Sequence, residues 1–154
     1  MTKTNGYILY KGPSKLDGAP IVVIATGFAK QSDNTKTGDM IQTWILRDDI
    51  KPHVAQKTGE DASVCGQCPM RPLILARAKK NGERLNGKAC YVKTFQAPRS
   101  VQDAYQRGVY SELVDYSVFD GRVLRVGSYG DPAAVPSKVW AKALKNSKSN
   151  TGYT

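Results

Sequence analysis

A chain of 154 residues with three cysteines, one histidine and a formal net charge of +10 is long enough to bury a core without covalent staples, and its length suggests a single domain. Three thiols cannot all pair within one chain, and the first residues lack the charged-then-apolar order of a secretory leader, so a reducing cytoplasm is expected. The longest aliphatic run, Ile21 to Ala25, falls far short of the ~20 apolar residues a membrane helix needs, which argues against a membrane partner.

Gly6 to Lys11 and Pro20 to Phe28 are rich in β-branched and aromatic residues and predict two strands, with turns at Gly12-Pro13 and Asp17-Gly18. A polar run from Gln31 to Gly38 reads as a loop, and Met40 to Leu46 resumes an apolar strand. Together these three predict an antiparallel meander. Pro52 restricts the next segment to a short helix beginning there, with His53 just after it. Further on, Pro72 opens a short basic helix that closes at Asn81-Gly82. Cys90-Tyr91-Val92 reads as a strand, and Ser100 as the cap of a helix closed by Gly108. Gly121 to Gly127 alternates as a strand, and Ser137 to Asn146 predicts a helix burying Val139, Trp140, Ala143 and Leu144. The expected fold is α+β, one domain over 1–154, with a small, mostly antiparallel sheet, about three helices and a Cys-rich metal knuckle.

That knuckle rests on Cys65-Gly66-Gln67-Cys68-Pro69, because a C-x2-C step lets two thiolates converge on one tetrahedral ion. With Cys90 as third ligand and His53 as fourth, the set would be a closed Cys3His zinc site of structural type. An iron–sulfur cluster held by the three thiols is the rival, since it would leave one iron open to another ligand. Free thiols with no metal remain a third reading, and a thioredoxin-like role fits poorly because no strand leads into an active-site helix.

Charge is concentrated around the same thiols. Between Gly66 and Arg99 stand Arg71, Arg77, Lys79, Lys80, Arg84, Lys88, Lys93 and Arg99 against one acid, Glu83. Lys138, Lys142, Lys145 and Lys148 follow with no acid after Asp131. Such segments suit phosphates, although lysines on helix backs also simply keep a protein dispersed. Tyr91, Phe95 and Tyr105 offer stacking surface for a single strand.

A second constellation, Gly127-Ser128-Tyr129-Gly130-Asp131-Pro132, ends a predicted strand with backbone N–H groups, a hydroxyl and a carboxylate. Ser128, Tyr129 and Asp131 are candidate ligand or catalytic residues. The plainer alternative makes Asp131 the cap of a helical turn whose first residue is Pro132.

Taken with Thr58 to Pro69 and Ala89-Cys90-Tyr91-Val92, the run from Gly127 to Ala133 resembles a family of uncharacterised proteins encoded by bacteriophages and prophages. The similarity spans nearly the whole chain and implies a phage setting, hence the cytoplasm of an infected bacterium, with no established activity. Members of that family continue past a Gly-Tyr-Thr-His segment into a region with further cysteines, whereas this chain stops at Thr154. The resemblance therefore implies a truncated or naturally short form.

These features lead first to a basic phage protein in which zinc organises a nucleic-acid-binding segment. A counter-defence or host-takeover protein that binds a host protein or ribonucleoprotein is the alternative. An enzyme using an open metal position or the Ser128 to Asp131 loop comes last, for want of a visible nucleophile and base pair.

Overall fold

The computed structural model describes residues 4–29, 35–36, 38–83 and 90–152. Its centre is β2 (Pro20–Thr26), flanked by β1 (Gly6–Pro13) and β3 (Ile41–Arg47). Ile21 through Ala25 are all fully buried, so this strand is covered on both faces, as an unbroken β-branched run requires. Both neighbours run antiparallel to it, with Ile24 opposite Ile8 on one side and Trp44 on the other. The predicted meander is therefore present.

Beyond β3 the pattern changes. β5 (Val123–Tyr129) pairs parallel with β3, β6 (Ser149–Gly152) pairs parallel with β5, and β4 (Ser111–Glu112) pairs parallel with β1. The sheet, in order β4-β1-β2-β3-β5-β6, is thus mixed rather than mostly antiparallel. The cause lies in the connections, because a strand that returns after a long helical crossover adds parallel, whereas only a tight hairpin forces antiparallel pairing. The crossover from β3 to β5 carries α1 (Pro52–Thr58), α2 (Ala62–Cys65), α3 (Pro72–Lys80) and α4 (Ala97–Gln106), and α5 (Ser137–Leu144) links β5 to β6.

Five α-helices stand among the described residues where about three were expected. α4 starts at Ala97-Pro98, upstream of the predicted cap Ser100, because Pro98 suits a first turn that needs no N–H there. α5 buries Val139, Trp140 and Ala143 as predicted, though Leu144, near the helix end, is only half-buried, and Trp140 Nε1 donates to Pro132 O at 2.9 Å. Cys90 to Val92 is not a strand but an irregular segment, anchored by the Cys90 N–H donating to Met70 O at 3.0 Å. No helix among the described residues is long and apolar enough to cross a membrane.

Candidate binding cleft

The C-x2-C segment is positioned by a charge hidden beneath it. Arg71, just before α3, is 8% exposed and directs its guanidinium inward. Nη2 donates to Asp61 Oδ1 at 2.6 Å and to Gly59 O at 2.9 Å, while Nη1 donates to Gly66 O at 3.0 Å. One side chain thereby ties the end of α1, the start of α2 and the glycine between the two cysteines. Asp61 is itself 1% exposed, and its carboxylate holds the Arg71 guanidinium more firmly protonated than usual. Arg71, expected among phosphate contacts, is thus an internal strut.

The Gly127–Asp131 loop is built from the opposite side. Buried Thr43 donates its hydroxyl to Arg125 O at 2.9 Å and accepts from Gly127 N at 2.8 Å, bridging the place where the β3–β5 register slips. Gly130 has φ +89°, and a Cβ there would stand 2.6 Å from Ile45 Cβ, so only glycine lets this turn lie on β3. Asp131 Oδ1 accepts from Ala133 N at 2.9 Å, which is the helical-turn cap anticipated as the plainer role. The Asp131 N–H in turn reaches Val64 O on α2 at 2.5 Å, joining the loop to the cysteine segment.

Between these walls lies a cleft of about 650 Å³, and it unites two motifs that the sequence kept apart. Cys65, Cys68 and Cys90 line it together with Gly127 through Asp131, and Lys36, Met70, Tyr91, Val92 and Arg125 complete the rim. Burial pushes the Cys65 thiol up to about 12, aided by the nearby Asp61 charge and opposed by a hydrogen bond from Tyr129. Tyr129, also buried, is likewise raised well above the usual phenol range, first by desolvation. Cys65 is therefore held as a protonated thiol at neutral pH; it is half-buried, as is Cys90, whereas Cys68 is exposed. All three cysteines are free thiols.

His53 is not among the residues lining the cleft. It sits on α1, where burial and the charges of Arg99, Lys57 and Lys51 lower its proton affinity. No group of three or more His, Cys, Asp or Glu side chains among the described residues is arranged to hold a metal ion. A closed Cys3His knuckle is therefore not shown among the described residues: the three thiols line the cleft, whereas His53 stands on α1 outside its lining.

The basic residues divide by environment. Arg77, Lys79 and Lys80 are exposed on the last turn of α3, where cations suit the helix dipole. Lys93 is exposed beside the cleft, and exposed Arg99 lies 3.7 Å from Asp103. Arg84 and Lys88 fall outside the described residues. Among the aromatics, Tyr105 is committed inward, its hydroxyl donating to Asp48 Oδ1 at 2.6 Å, while Tyr91 and Phe95 are 67% and 58% exposed.

Arg125 lies within the Gly121–Gly127 segment whose alternation predicts only a strand. Its Nη2 donates to Tyr91 Oη at 3.0 Å, making a ridge between the cleft and a smaller hollow of about 250 Å³. That hollow is lined by Gln42, Trp44, Lys93, Gln96, Ala97 and Pro98, and it shares Tyr91, Val92, Arg125 and Ser128 with the cleft. No local pattern could have paired Arg125 with a tyrosine 34 residues away.

Fold and cleft together define an α+β protein with a mixed six-stranded sheet and a thiol-lined hollow at one strand end. No family model, curated protein or solved structure matches the chain.

Proposed function

We propose that the protein binds single-stranded nucleic acid across the Tyr91–Arg125 ridge, in the bacterial cytoplasm during phage infection. The observation that carries this reading is the ridge itself: an exposed ring hydrogen-bonded to a guanidinium between two hollows, with Lys93 and Phe95 exposed on the same segment. Aromatic faces interleaved with cations are what sequence-tolerant single-strand binding needs, rings for bases and charges for phosphates. The net charge of +10 favours the encounter. The phage setting is carried by the motif resemblance alone.

Fluorescence anisotropy of a labelled dT12 strand across a salt series tests the proposal. With about three phosphates neutralised, the log–log slope should be near −2. Salt-independent binding would contradict it. Co-purification of a host protein that survives nuclease treatment would shift the reading to host takeover.

A metal-dependent reading is favoured by a separate observation, the meeting of all three thiols with the Gly127–Asp131 loop in one cleft. Zinc or an iron–sulfur cluster suits thiolate donors, and three cysteines without His53 would leave a position open toward the cleft. Such binding would require the thiols to draw together and Cys65 to release its proton. Elemental analysis of wild type, Cys68→Ser and His53→Ala decides it. Metal lost in the first variant and kept in the second supports an open three-thiol site, and metal-free wild type removes it.

A further inference from the structure

The two hollows differ in size and lining, and the difference identifies how a strand would sit on them. The larger, at about 650 Å³, falls within the ~300–1,000 Å³ typical of small-molecule sites and has mainly apolar walls in Met70, Tyr91, Val92 and Tyr129. The smaller is shallow and carries the amides of Gln42 and Gln96 with Lys93. Ser128 lines both hollows, is only 5% exposed, and its Oγ is buried without a hydrogen-bond partner. Buried hydroxyls are nearly always paired, so the Ser128 Oγ, at the junction of two hollows, has hydrogen-bonding capacity left for a ligand.

We propose that the larger cleft is a single-base pocket: one unstacked base of the bound strand enters it against Tyr91 and meets the Ser128 hydroxyl. Arg125 then faces the phosphate that crosses the ridge, and the next nucleotide lies in the smaller hollow beside Lys93. A duplex is excluded from this arrangement unless a base leaves its stack, which costs free energy that a single strand does not pay. The inference rests on the nucleic-acid reading above and adds where the base goes.

The exposed thiol of Cys68 lines the same cleft and reports its occupancy. The experiment compares dT12 with a 12-mer of abasic residues, measuring affinity by anisotropy and the alkylation rate of Cys68 by iodoacetamide under saturating strand. The expected result is ~10-fold tighter binding of dT12, a roughly 10-fold slowing of Cys68 alkylation by dT12 but not by the abasic strand, and loss of both effects in Tyr91→Ala. Ser128→Ala should weaken dT12 several-fold and leave the abasic strand unchanged, with thermal melting confirming that both variants are folded. Equal affinity of the two strands, or Cys68 as reactive with dT12 as without it, overturns the base pocket while leaving strand binding in place. Failure of both strands to bind at low salt removes the nucleic-acid reading and the pocket with it.

Discussion

β2 and the segment from Gly59 to Arg71 are held by opposite means. Ile21 to Ala25 lie fully buried between two strands, so the hydrophobic effect secures them with many small, interchangeable contacts. The thiol-bearing segment buries few apolar side chains, chiefly Val64, and its order comes instead from Asp61, Arg71 and three carbonyl or carboxylate acceptors. Directional bonds of this kind fix a loop's shape, whereas an apolar core tolerates shifts of contact. One wall of the cleft, the cysteine segment, is thus held by polar bonds, while the other, the Gly127–Asp131 loop, rests on the sheet.

That contrast can be broken most sharply at Arg71. Arg71→Ala leaves Asp61 buried and uncompensated, and denaturant unfolding should record a loss of about 3–5 kcal/mol. Arg77→Ala, six residues on and exposed, should stay within experimental error of wild type. Adding Asp61→Asn to Arg71→Met should recover much of the loss, since the charge left behind is the cause.

Ile24→Ala probes the other region and should cost roughly 2–5 kcal/mol through the cavity it opens. Unlike Arg71→Ala, it should leave Cys68 alkylation in the folded protein unchanged. Gly130→Ala comes next, at about 1–3 kcal/mol, because it combines a positive φ with a methyl pressed on Ile45; melting curves measure it.

The smallest effect is a pH dependence. The folded state holds the Cys65 proton more tightly than the unfolded chain, whose thiol titrates near 9.0, so the contribution is complete below pH 9 and is lost as pH rises toward 12. Stability measured from pH 8 to 10.5 should therefore fall, and Cys65→Ser should flatten that slope.

The strands β1 to β3 and α5 were legible because period and β-branching are local properties, read from Ile21–Ala25 or from Val139, Trp140 and Ala143. The parallel pairing of β5 was not, since it depends on how a helical crossover folds back rather than on any residue in the strand. The cysteines and the Gly127–Asp131 loop were each visible as motifs, yet their meeting in one cleft follows from α2 packing beside the turn after β5. Arg71 misled for a plain reason: in a run of cations nothing marks the one whose partner, Asp61, lies ten residues earlier under the same turn.

Photo-crosslinking of a 4-thiothymidine-substituted dT12 strand, followed by peptide mapping, tests the central claim most directly. The account predicts crosslinks concentrated on the peptides bearing Tyr91 and Ser128 to Tyr129, abolished by excess unlabelled dT12. Crosslinks concentrated instead on Lys138 to Lys148, with none in the cleft, would contradict it.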